Sequence, residues 1–125
     1  MSQGNVESFK VLSTLAAYRV VCLDTAAGNT VVYPANTLQP KVGVTIDTVK
    51  DTTGAIPVAI GGIARILFDD TVSAGALVSA DTSGRGVAFV NVTAGAAYIG
   101  VALSTVSATG TIANVLINPG FKAIP

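Results

Sequence analysis

Few side chains in this sequence could do chemistry. Those whose type or spacing is suggestive are Cys22, the adjacent carboxylates Asp69 and Asp70, the separated Asp24 and Asp81, and the arginines at 19, 65 and 85. No histidine occurs, which removes the commonest general base, the commonest metal ligand and every Ser-His or Cys-His nucleophile pairing. Cys22 is the sole cysteine, so neither an internal disulfide nor a thiolate zinc site can form within the chain. Its neighbours Val20, Val21 and Leu23 read as a buried strand in which the thiol is a small hydrophobe. Asp69 and Asp70 would point to opposite faces of a strand and share no proton unless the chain turns there, so a capped turn is the expected use. Asp24 and Asp81, each followed by Thr, could hold a cation with nearby hydroxyls, but a carboxylate closing its own turn is the commoner arrangement. Gly61-Gly62 and Gly84-Arg85-Gly86 match no phosphate-binding pattern and read as a bend and a hairpin tip. Arg19, Arg65 and Arg85 are scattered relative to Phe68, Phe89 and Tyr98, which leaves no basic-aromatic platform for single strands. The expectation is a protein that is not an enzyme, with no cofactor and no metal.

The elements that carry these residues are strands. Apolar Val, Ile, Ala and Thr come in short runs punctuated by Gly, Asn, Asp and Pro. Strands are predicted at Tyr18 to Leu23, Thr30 to Tyr33, Lys41 to Val49, Ile56 to Ile60, Ile63 to Phe68, Ala76 to Ala80, Gly86 to Val90, Tyr98 to Thr105 and Thr111 to Ile117. Turns are predicted at Thr25–Asn29, Asp51–Gly54, Asp81–Gly86 and Ser107–Gly110. A single helical turn is possible over Asp69 to Ala76, interrupted early by Gly75.

At 125 residues the chain has the size of one domain, and 50% of its residues are apolar. Only 11% are charged, against roughly 25% in ordinary soluble domains, so much of the surface must be Ala, Thr, Ser and Gly, which suits contact with other protein. Basic and acidic residues balance at 7 each with no basic run, so neither nucleic acid nor an anionic membrane is an expected partner. The start lacks a basic and an apolar signal region. Mean hydropathy is +0.65, yet the longest apolar stretch, Gly54 to Ala64, is broken by Pro57 and Gly61-Gly62 and falls far short of a membrane span.

Sliding the chain by 57 residues aligns Tyr18–Lys50 with Gly75–Ser107 without a gap. Val21, Asp24, Thr25, Gly43, Val44, Thr48 and Val49 then fall on identical residues at 78, 81, 82, 100, 101, 105 and 106. With a one-residue slip, Gly54-Ala55-Ile56 meets Gly110-Thr111-Ile112. Chance in a biased composition is the bland explanation. Collinear matches in both a turn and a strand favour two related β-units, 18–60 and 75–117, packed as a barrel or sandwich.

The expected organisation is therefore an N-terminal arm over 1–17, a single β domain over 18–120 and a C-terminal tail over 121–125. The arm alternates, with Val6, Phe9, Val11 and Leu12 apolar, and so can add itself as a strand to an open sheet edge in its own chain or in a neighbour. The tail carries Phe121 and Ile124 beyond a proline and a glycine.

The run Ser73-Ala74-Gly75-Ala76-Leu77-Val78-Ser79-Ala80-Asp81, then Gly84-Arg85-Gly86-Val87-Ala88, Tyr98-Ile99-Gly100-Val101-Ala102-Leu103 and Val115-Leu116-Ile117-Asn118-Pro119-Gly120 resembles the tailed-bacteriophage capsid cement or head decoration proteins. Gly43-Val44-Thr45 and Gly61-Gly62-Ile63-Ala64 fit the same scheme, so the similarity spans most of 18–120. Ala76 departs from it, standing where the family often has an acidic residue. The resemblance implies an all-β virion protein, made in the host cytoplasm, that binds the outer surface of an assembled capsid. It also implies a homotrimer whose partners are the major capsid protein and itself. Val6, Phe9, Val11, Leu12, Phe121 and Ile124 are then the expected capsid or inter-subunit contacts, and removal of residues 1–15 is expected to leave a folded body. The alternatives are a phage tail-tube component or a receptor- or carbohydrate-binding β module; with no Trp and with Tyr18, Tyr33 and Tyr98 mostly inside predicted strands, little is offered for sugar stacking.

Overall fold

A computed structural model describes residues 6–11, 14–24, 28–34, 41–46, 55–89 and 96–122, with the backbone alone at Ala96, Phe121 and Lys122. Ten strands run in order along it: β1 Val6–Val11, β2 Val20–Leu23, β3 Thr30–Val32, β4 Lys41–Thr45, β5 Ala55–Ala59, β6 Gly62–Leu67, β7 Leu77–Ala80, β8 Gly86–Ala88, β9 Ala96–Ala102 and β10 Ile112–Lys122. All nine predicted strands have a counterpart; the residues predicted at 47–49 and 90, and most of the turns Thr25–Asn29 and Asp51–Gly54, lie outside the described residues.

The strands form two groups of five. The first closes into a barrel in the order β1-β3-β2-β4-β5, and the second is a sheet in the order β6-β10-β9-β7-β8. These are one topology met twice, with β1 to β5 corresponding to β6 to β10. The pairing registers show it residue by residue. Val20↔Val44 and Val21↔Gly43 become Leu77↔Val101 and Val78↔Gly100 on adding 57. Likewise Val44↔Ala59 becomes Val101↔Leu116, and Val6↔Ala59 becomes Ile63↔Leu116. The repeat thus reaches back through β1, and β5 matches β10 with no slip. Each unit forms its own sheet rather than half of a shared barrel.

The interiors correspond as well. Val11, Leu15, Val21, Val31, Ile56 and Val58 fill the first unit. Phe68, Val72, Val78, Ala113 and Val115, the counterparts of all but Val31, fill or flank the second core, and Gly86 takes the place of Val31 opposite Phe68. Val20 and Val44 face out of the barrel into that second core, joining the units. At this seam Leu67 N–H donates to Tyr18 C=O at 2.9 Å, Val20 N–H to Gly84 C=O at 2.7 Å and Arg19 Nη1 to Ser83 C=O at 3.1 Å.

One difference separates the units. Asp24 N–H bonds Thr30 C=O, whereas Asp81 N–H bonds Arg85 C=O, so the β7–β8 hairpin is two residues tighter than β2–β3. The parallel closure Lys10↔Thr30 and Val11↔Val31 of the first unit shrinks to the single bridge Phe68↔Gly86 in the second.

Two sequence expectations change. Val6–Val11 is no appendage: it pairs with β5 over five residues and with β3 over two, in its own chain, so the body of the fold begins before Tyr18. It is held because both neighbouring edges need a partner for closure. Asp69–Ala76 is not helical; Val72 bridges Val106, and Ser73–Ala76 is a tight turn with Gly75 at φ +85°. A run this short, ending in a left-handed residue, gains more from ladder bonds than from one helical turn.

Candidate functional site

Asp69, Asp70, Asp81 and Arg85, singled out from the sequence, make local structural contacts. Asp81 accepts from the N–H groups of Ser83 and Arg85, both at 2.9 Å, and pairs with the Arg85 guanidinium at 3.2 Å. Its carboxylate closes its own hairpin, the arrangement favoured from sequence. Asp69 meets Arg85 from the other side at 3.3 Å, while Asp70 accepts from Thr71 N–H at 2.8 Å and Ala88 N–H at 3.2 Å. The adjacent carboxylates have separate partners and share nothing. Cys22 is buried in the barrel wall opposite Lys41, and burial pushes its thiol up to about 11 against a weaker opposing pull from Lys41. Burial likewise lowers Lys41 from the ordinary lysine range. A thiol this hard to ionise is a poor nucleophile. Among the described residues no group of three or more acidic, Cys or His side chains is placed to hold a metal ion.

Apolar surface is what remains for contact. Of the six residues expected to make contacts, Val6 is 47% exposed, Phe9 lies partly buried against the first core, and Val11 is 2% exposed inside it. Alternation along β1 separates them: the face bearing Val6 looks outward while Val11 plugs the barrel. In this fold Val11 is core and cannot reach a partner. Leu12 and Ile124 lie outside the described residues, and Phe121 pairs through its backbone with Ala97 at the end of β10.

Val6 leads to surface the sequence reading overlooked. With Ile46, Ala59, Ile63 and Ala64 it lines an open groove of about 400 Å³ along the seam, with Tyr18, Thr45 and Arg65 as its polar members. Ile63 continues outward onto the second sheet, where it pairs with Leu116, both exposed. Exposed Leu103 and Ile112 lie on the same face. A signal was present: β10 reads Ile112-Ala113-Asn114-Val115-Leu116-Ile117, nearly all apolar, which marks a strand destined for cover on both faces.

This two-unit architecture is shared with a known protein. The fold superposes on the crystal structure of the head fiber gp8.5 N base of bacteriophage phi29 with a TM-score of 0.68, covering 94% of this chain and 95% of that one. Sequence identity is 13%, so the likeness is one of fold. No protein-family model and no curated protein matches the chain.

Proposed function

We propose that this chain is a structural virion protein that binds the outer surface of an assembled phage capsid and stabilises it, acting as a homotrimer. The single observation that carries the reading is the fold likeness, over nearly the whole of both chains, to the base of a phage head fiber. Two further observations support it. The sequence resembles head decoration proteins through its hairpin, Ile99-Gly100-Val101-Ala102 and Val115–Gly120 motifs. The surface is low in charge and bears exposed Val, Ile and Leu side chains, so it packs against neighbours with little desolvation of charge. Its partner in this reading is the major capsid protein, and the mechanism is multivalent: many weak copies on one lattice resist expansion and rupture together. Catalysis has no part in it.

The test is co-sedimentation of the purified chain with heads of the phage that encodes it, stripped of their surface proteins. Saturable binding that raises the temperature at which heads burst is expected. Recovery of the protein only in the supernatant, with unchanged head stability, would overturn the proposal.

A further inference from the structure

We infer that the open edge of β6, over Ile63–Arg65, is where the capsid partner docks, by adding an extended segment to it as a further strand. The inference rests on the capsid reading above and names the site and the form of the partner.

The ladder fixes which way the β6 backbone points. Phe68 N–H donates to Thr111 C=O at 2.8 Å, and these two residues lie next in register after Leu67↔Ile112. Bonded pairs alternate along an antiparallel ladder, so Ile66, Ala64 and Gly62 turn their backbone groups toward β10, while Leu67, Arg65 and Ile63 turn theirs away. Leu67 fits this phase: its N–H donates to Tyr18 C=O at 2.9 Å rather than to β10. Asn114, opposite Arg65, gives its carbonyl to Leu103 N–H at 3.1 Å and not to β6. The outward N–H and C=O groups of Ile63 and Arg65 have no partner among the described residues. The sheet's other edge is capped: in β8, Gly86 C=O accepts from Asp69 N–H at 2.9 Å and Ala88 N–H donates to the Asp70 carboxylate at 3.2 Å. An uncapped edge is a template for another chain, and Tyr18 already shows the mode at one end of this one.

The open edge runs along the seam groove. Ile63, Ala64 and Arg65 all line it, although successive side chains on a strand point to opposite faces, so the groove follows the strand's edge and reaches its backbone. Val6, Ile46 and Ile63 are exposed there, and Arg65 has no ion-pair partner among the described residues. Ile63 and Arg65 share a face, being two residues apart on one strand. The matching occupant is an extended segment with an apolar residue opposite Ile63 and, two residues along, a carboxylate opposite Arg65. A second copy would offer its β6 edge to edge, but each lies within its own groove, and strands must come within about 4.8 Å to pair. A terminal arm or long loop of the shell subunit meets no such obstacle.

The experiment combines co-sedimentation and amide hydrogen exchange, with stripped heads of the encoding phage as the probe. In the free chain the Ile63 and Arg65 amides should exchange fast; on heads their exchange should slow by about tenfold or more. Arg65→Pro removes an outward N–H and keeps every bond to β10, as proline on an edge strand does, and should weaken binding by about tenfold or more. Arg65→Glu should weaken it similarly through charge, and Arg65→Lys should bind as wild type does. Urea midpoints establish that the variants are folded; should R65P unfold, R65E and the wild-type exchange decide. Heads that bind the wild-type chain without protecting these amides, or that bind folded R65P and R65E undiminished, would overturn the inference and leave the capsid reading standing. A wild-type chain that does not bind heads would overturn both.

Discussion

Gly43 and Gly100 occupy the same place in the two units, and each is held against a neighbouring strand's backbone. A Cβ at Gly43 would strike the Ala59 carbonyl, and one at Gly100 the Leu116 carbonyl. Alanine at either position should destabilise the fold by about 1–3 kcal/mol, read from urea midpoints, because strands already hydrogen-bonded must part. Changes indistinguishable from wild type would mean the approach is loose. Val11→Ala should cost about 2 kcal/mol as a core truncation, and Val6→Ser less than about 0.5 kcal/mol as a surface change, a contrast that reports β1's orientation directly. At Cys22 the folded thiol ionises near 11 rather than 9.0, so the unfolded state loses its proton first and stability falls as pH rises from about 9 to 11. Lys41, lowered from 10.5, works in the opposite direction, its folded form binding fewer protons than the unfolded chain. Cys22→Val should therefore abolish the alkaline fall and leave the shallow rise owed to Lys41. Parallel pH profiles for the two proteins would refute the assignment.

β1 is the element whose role is most altered by its surroundings. Its alternation was readable, but alternation cannot say which edge a strand will join, since that depends on strands far along the chain. The structure seats it between β3 and β5, and its removal would uncover Val31, Ile56 and Val58. Deletion of residues 1–11 should accordingly cost several kcal/mol, comparable with the whole stability of many domains, and lose cooperative melting of the first unit. This reverses the expectation that a shortened chain keeps its fold, and an unchanged thermal transition would restore it. The repeat was legible in Gly43-Val44 against Gly100-Val101, where close approach demands glycine. It was not legible in β1 against β6, where Val6, Phe9 and Val11 stand for Ile63, Ile66 and Phe68, similar only in being apolar. Tyr18 and Gly75 make the same point, being 57 residues apart with φ of 64° and 85°. One of them advertises the left-handed turn; the other, a tyrosine, hides it.

For the molecule as a whole, the strands and the all-β class were readable because turn residues and short β-branched runs are local signals. The contact surface was not, because exposure is a property of what packs where: Val11 and Val6 look alike in sequence and lie on opposite sides of a barrel wall. The same limit hid the seam groove, whose lining residues come from segments far apart in the chain. Fold likeness to a phage head fiber base, a surface low in charge and a doubled β-unit with exposed apolar side chains are the observations on which the proposed capsid role rests. The most direct test is negative-stain microscopy of virions from the encoding phage, labelled with antibody against this chain. Label distributed over the outside of the head is the predicted result; label confined to the tail, or absent from intact particles, would contradict it.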